Sequence, residues 1–312
     1  MQNEDIFKTI LVPVDGSFPS MISQELTVFL AKKFRSRVTV IHVASQDMII
    51  PLIEKPGDNE EIDSIGTAAG QFPRAVEIPK PKENPLPNEV ISEVEGWYVQ
   101  KGTQVVQEAV ARFKDEGIPV DQKLVTKGAS AEVIIDEAKK GGYDLIIMGN
   151  AGEEERDQHL GSVAKKVAAG AEIPVLITRD KIVISKILVP IDGSEKSEKA
   201  IGYANLIAQK TGGTLTLLYV QESPLFHLKP EISSEVGKKI LDHATSKLVG
   251  VKVDRKLESG DPAKKIIETA RKDNFDLVVM SSKGHGTMMK FLMGSVADHV
   301  IHYADRSILL IK

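Results

Sequence analysis

The sequence predicts an α/β protein made of two tandem doubly wound domains, each with a five-stranded parallel sheet. Three observations carry that expectation. The chain repeats itself, each repeat shows five short apolar runs separated by helical patterns, and the runs are continuously apolar, as in strands covered by helices on both faces.

The repeat sets the boundaries. Ile10-Leu-Val-Pro-Val-Asp-Gly-Ser17 matches Ile187-Leu-Val-Pro-Ile-Asp-Gly-Ser194 at an offset of 177, and the same register carries Val43 onto Val220. Further on, Gly128 matches Gly260 and Tyr143–Met148 matches Phe275–Met280, both at an offset of 132. The first copy therefore holds 45 extra residues between Val43 and Gly128. Prolines, glycines and acids between Pro51 and Glu89 place this insert at about residues 46–96, read as a long loop that is either a functional cover or a mobile segment. Trp97 and Tyr98 close it and are expected to anchor the next helix. The domains are expected at 1–180 and 181–312.

In the second copy the strand runs are Lys186–Ile191, Thr214–Val220, Val251–Leu257, Phe275–Met280 and Ser307–Ile311. Ser194 is placed to cap a helix through Ala200, Ile201, Ala204 and Ile207, which Gly212 and Gly213 end. Asp261 followed by Pro262 reads as an N-cap and an N1 proline. Ile173–Thr178 and Ser307–Ile311 are the last strands of their sheets, hence edges with unpaired backbone groups.

Composition narrows the function. The 312 residues include no cysteine, which removes thiol nucleophiles, cysteine-ligated metals and disulfides. A net charge of −4 with interspersed Lys and Arg argues against a nucleic-acid partner. No run approaches the roughly 18 apolar residues of a membrane span, so no membrane insertion is expected. The acidic start lacks the pattern of a signal peptide, which makes the cytoplasm the expected location.

In a doubly wound sheet, ligands sit beyond the carboxyl ends of the strands where strand order reverses. Asp192 stands at such an end, able to accept hydrogen bonds from sugar hydroxyls or an amino group; a bare Asp-Gly-Ser is more often plain turn chemistry. After the fourth strand, Ser281 to Val296 brings Gly284, Gly294 and Ser295 to the start of a helix, whose free N–H groups and dipole suit phosphate. Lys283 and Lys290 make this segment locally +2. Neither G-x-x-x-x-G-K-[ST] nor G-x-G-x-x-G is present, so it is not a P-loop or a dinucleotide fingerprint. His299 and His302, three apart, read as exposed helix polars and not as metal ligands.

The strand end Val-Pro-Val/Ile-Asp, together with glycine, nine residues and Gly294-Ser295, resembles the universal stress protein family, and the resemblance covers nearly the whole chain apart from the insert. It implies an adenine-nucleotide alpha-hydrolase-like fold with strand order 3-2-1-4-5 in each half. It also implies ATP or AMP as ligand, with Mg2+ admissible beside ATP, and antiparallel pairing of the last strands. Carried over by position, Pro190, Asp192, Ser194 and the backbone of Val220 would hold the adenosine, with Gly260 lining the adenine pocket. Ser281, standing where the family has glycine, would lie on the ribose side, and Gly284, Gly294, Ser295 and Val296 would hold the phosphates.

The matching first-copy positions are Asp15, Val43, Gly128, Gly149, Gly152, Gly161 and Ser162. There only eight residues separate Gly152 from Gly161, and Glu153, Glu154, Glu155 and Asp157 against Arg156 give −3, which repels phosphate. This first site is expected to be degenerate. The leading expectation is a nucleotide-binding stress-response regulator; the alternatives are a slow ATPase and a nucleotide-independent interaction module. A homodimer of the whole chain and protein partners are left open.

Overall fold

The computed structural model describes residues 6–44, 88–125, 128–151, 160–222, 230–284 and 293–312. The first half runs β1 (Thr9–Pro13), α1 (Phe18–Phe34), β2 (Arg37–Val43), α2 (Asn88–Asp115), β3 (Val120–Val125), α3 (Ser130–Lys140), β4 (Leu145–Gly149), α4 (Ser162–Gly170) and β5 (Val175–Thr178). The second runs β6 (Lys186–Ile191), α5 (Glu195–Thr211), β7 (Thr214–Gln221), α6 (Pro230–Ser246), β8 (Lys252–Ser259), α7 (Pro262–Lys272), β9 (Leu277–Ser281), α8 (Ser295–Tyr303) and β10 (Ser307–Ile311).

The ten strands form one sheet in the order β3-β2-β1-β4-β5-β10-β9-β6-β7-β8. Each half thus has the order 3-2-1-4-5 with parallel neighbours, and the halves meet where β5 and β10 pair antiparallel, Ile308 opposite Ile177 and Leu309 opposite Leu176. The two strands expected to be edges pair with each other and become the centre of the sheet.

Alternation along the strands explains the layers. Ile10, Val12, Leu277, Val279, Leu309 and Ile311 point into a core with α1, α2, α5 and α6. Leu11, Val278, Met280, Ile308 and Leu310 point into a second core with α3, α4, α7 and α8. Both cores draw on both halves, so the junction is buried on two faces and not a surface contact.

Local chemistry sets the helix ends. Ser17 and Ser194 cap α1 and α5 by accepting from Ser20 N and Ser197 N, both at 3.2 Å, and Asp261 caps α7 from Lys264 N at 2.8 Å. The Asp of the repeated Tyr/Phe-Asp pair has a structural task. Asp276, just before β9, accepts from Ser185 N, Ser185 Oγ and Lys186 N at 2.7–2.9 Å, which pins the start of β6. Asp144 accepts from Thr9 N and Thr9 Oγ1 at 2.9 Å and does the same for β1.

One expectation needs correction. The insert read as loop to residue 96 becomes helical from Asn88, so Trp97 and Tyr98 lie within α2. They are half-buried and stack edge to face at 5.1 Å, with the Lys101 ammonium 5.4 Å from the Trp97 ring, instead of anchoring the helix in a core. Buried contact lies further along, at Gly102, Val105, Val106, Ala109 and Phe113. The earlier part of the insert, 45–87, lies outside the described residues.

Lys312 bridges the halves. Its Nζ donates to Ala168 O near the end of α4. Burial, reinforced by repulsion from Lys283, lowers its pKa from 10.5 to about 8.

Two outcomes follow. Leu309→Pro removes a backbone donor and wedges a ring into the middle of the sheet; a buried carbonyl left without its partner alone costs about 1–3 kcal/mol. Its unfolding midpoint should fall and its radius of gyration in solution scattering should rise. For Lys312, the folded chain binds the proton less well than the unfolded one. Its contribution to stability is therefore lowest below about pH 8 and increases as pH rises toward 10.5. The stability of the parent relative to Lys312→Met should rise by roughly 1–3 kcal/mol between about pH 7.5 and 10 in urea titrations.

Candidate functional site

The sheet opens at one place in each half. β6 pairs with β7 from Lys186 to Ile191, yet with β9 only at Ile187 and Leu188. Beyond Leu188 the two strands diverge, at the point where strand order reverses, and a crevice opens at their carboxyl ends. Pro190 lies in the diverging stretch, where a missing N–H leaves no ladder bond unmade on that side. β1 and β4 diverge in the same way after Leu11, with Pro13 in the matching place.

Asp192 stands at the mouth of the second crevice. Its Oδ1 accepts from Ser194 N at 3.0 Å and Ser194 Oγ at 2.6 Å, and Ser194 in turn caps α5. One carboxylate oxygen is therefore used to build the turn. The other faces the loop after β9: a Cβ placed on Gly284 would come within 2.9 Å of Asp192 Oδ2. A side chain there would have to push the carboxylate aside, so glycine favours this close approach of the two strand ends across the crevice.

The glycine-rich loop closes on itself. Gly294 N donates to Ser282 O at 2.9 Å, so the segment leaves and returns at nearly one point and α8 starts beside Gly284. Gly294 is the N-cap, with extended backbone and no side chain to satisfy the first N–H groups, and Ser295 is exposed at the first helical position. Val296 packs at the rim of the core. Residues 285–292, including Lys290, lie outside the described residues.

Val220 and Gly260 are close on the neighbouring strands. Gly260 N donates to Gln221 O at 2.9 Å, and Gly260 has φ +134, a backbone that L side chains rarely adopt. Ser281 ends β9. The structure thus places Pro190, Asp192, Ser194, Ser281, Gly284, Gly294, Ser295 and Val296 around one crevice, with Val220 and Gly260 at the adjacent strand ends.

The first half repeats the frame with a different interior. Asp15 Oδ1 accepts from Ser17 N at 2.9 Å, and Gly161 N donates to Asn150 O at 2.7 Å, so the loop closes despite its missing residue. Gly149 is needed for packing: a Cβ there would lie 2.8–2.9 Å from the backbone and Cβ of Pro19 on α1. Gly161 and Leu160 are buried, whereas Gly294 is half-open. Val43 and Gly128 keep the positions of Val220 and Gly260, Ser162 starts α4, and Gly152 lies outside the described residues.

Sequence reasoning missed an aromatic side wall. Tyr219 pairs with Ile191 beside Asp192, and its hydroxyl pKa is raised by burial and then by the nearby Asp192 and Glu222 carboxylates, so it stays a protonated donor. The matching His42 lies 2.7 Å from Val14 O through Nδ1. Each ring is covered by a helix that has glycine at the crossing. A Cβ on Gly237 would meet Tyr219 at 2.8 Å, and one on Gly102 would meet His42 at 2.6 Å. Glycine inside a helix costs roughly 1 kcal/mol, and here the ring beneath requires it. Those two glycines, lying in the unaligned helices, were the available signal.

His299 and His302 flank Tyr303 with ring centroids at 4.6 and 4.7 Å. No group of three His, Asp or Glu set to hold a metal occurs among the described residues, nor does any described helix have the length and apolarity to cross a membrane.

Comparison with known proteins bears on the whole chain. A model described as the universal stress protein family matches residues 78–179 and again 184–312. Universal stress protein MJ0531 of Methanocaldococcus jannaschii is 31% identical over 148 residues, 44% of this chain and 87% of that protein. Universal stress protein Slr1230 of Synechocystis is 23% identical over 311 residues, 98% of this chain and 100% of the relative. The crystal structure of a universal stress protein from Archaeoglobus fulgidus superposes with a TM-score of 0.68 at 20% identity, covering 98% of both chains, which establishes a common fold. Matched twice by one family model, once on each side of the β5–β10 junction, the chain belongs to the universal stress protein family as a tandem member.

Proposed function

We propose that this chain is an adenine-nucleotide-binding regulatory protein of the stress response, cytoplasmic, with ATP or AMP held by its second half. The observation that carries the reading is the divergence of β6 from β9, which brings Asp192 against Gly284 next to the half-open start of α8. Asp192 and the backbone of Val220 would hold the adenosine, Gly260 would border the base, and Ser281 would stand on the ribose side. Gly284, Gly294, Ser295 and Val296 would take the phosphates, since free N–H groups at a helix start favour anions. The residues fit such a ligand. A Cβ at Gly294 meets nothing closer than 3.5 Å, and Lys283 adds positive charge at the loop.

The first half argues for a different state. Its N-cap Gly161 and the preceding Leu160 are buried, Pro19 presses on Gly149, and its loop sequence is acidic. One site per chain is therefore expected. Asp192 is committed to building the turn through Ser194 and the sequence carries no catalytic signature, which favours binding and signalling over dedicated hydrolysis.

Calorimetric titration with ATP should give a stoichiometry near one per chain. Gly294→Asp is the sharpest variant. The position has φ −67 and ψ 146 and is an N-cap, where aspartate is a favoured residue, so the melting temperature should hold or rise. The added carboxylate faces the phosphates, so ATP affinity should fall at least about tenfold. Two equivalent sites, or undiminished affinity in this variant, would place the nucleotide elsewhere.

A further inference from the structure

The first half holds a second concave site, away from the crevice, at the amino ends of β1 and β2. This cavity of about 570 Å³ is lined by Lys8, Lys33, Arg35, Arg37 and Lys210 over a floor that includes the buried Phe34. Four cations come from the first half and Lys210 comes from the last turn of α5 in the second, so the second half completes the rim. Lys33, Arg35 and Lys210 stand near helix carboxyl ends, where a cation is favoured. Lys8 and Arg37 lie on or next to strands, so helix ends do not account for the cluster. Arg37 is paired with Asp121 at 3.0 Å, with both side chains about two-thirds exposed, and Lys33 lies 5.9 Å from the Phe29 ring centroid.

The repeat supplies an internal control. At the offset of 177, Lys8, Arg35 and Arg37 correspond to Ser185, Gly212 and Thr214, so the second half has no cations at these positions. Arg35 is the telling residue. It is the C-cap of α1 with φ 56, a left-handed backbone that its counterpart Gly212 adopts at φ 75 without strain. An arginine kept in a conformation suited to glycine, beside four further cations, carries backbone strain that glycine would not. Strain of this kind persists where a function needs the side chain.

We propose that this cavity is a binding site for a small oligophosphate anion, pyrophosphate or a longer inorganic chain, gripped between the two halves. Arginine offers planar paired donors and lysine offers point charge, the combination that suits a compact anion of several charges. α5 links this site to the nucleotide crevice: Ser194 caps one end beside Asp192, and Lys210 lies in the last turn, about 25 Å along a helix of that length.

The test is titration of the full chain with inorganic tripolyphosphate at about 150 mM salt, where long-range screening removes diffuse attraction. Saturable binding is expected. In Arg35→Gly/Lys210→Ser it should weaken at least about tenfold, while the melting temperature stays level or rises because Arg35→Gly relieves the left-handed backbone. The component of binding lost in that double variant should persist in Gly294→Asp, which separates this site from the nucleotide crevice whether or not the crevice binds phosphate. Three results would overturn the proposal: no saturable binding by the parent, loss of binding in Gly294→Asp with retention in the double variant, or equal displacement by the same ionic strength of sodium chloride.

Discussion

The antiparallel pairing of β5 with β10 is the contact on which the rest of the molecule depends. Val175–Thr178 and Ser307–Ile311 are wholly buried, and their side chains enter both helix layers. Separated, each half would expose a short, apolar, unpaired edge, the feature that drives association between sheets. Joined, they turn two five-stranded sheets into one and fix the halves in opposed directions. Lys312 reaching Ala168 and Arg179 N donating to Ser307 Oγ at 2.9 Å reinforce the junction with polar contacts.

Within each half, the site arises from what the sheet leaves undone. Parallel pairing binds β1 to β4 and β6 to β9 for only two residues each, and the strands then part. Asp144 and Asp276 hold the other end of the same strand pairs closed, so the opening is confined to the carboxyl end. The frame is the same in both copies. What fills it differs, with a half-open N-cap glycine in one and a buried one in the other.

Much of this was legible in the sequence because it depends on local chemistry. Serine, aspartate and proline at helix starts, glycine at helix ends and apolar runs in the strands act over a few residues, and Ser194, Asp261 and Gly212 stand where their types predict. The β5–β10 contact could be expected because an apolar last strand needs a partner. The start of α2 could not, since its first turn follows a proline-rich stretch that reads as loop. Tyr219 and His42 were hidden for another reason: each acts on the first strand through space and under a helix glycine that the repeat alignment does not contain. The basic cavity gathers residues from positions 8 to 210, and only the fold places them together.

The connection through residues 179–185 has a further effect on assembly. If the two unlike halves were separate chains, they would partition among two self-paired species and one mixed species, and only the mixed one would unite a crevice of each kind. On a single chain each half meets its counterpart at the high local concentration of a short tether. No sorting step is needed, dilution does not dissociate the pair, and each half can accumulate substitutions that would be lost from a self-pairing subunit.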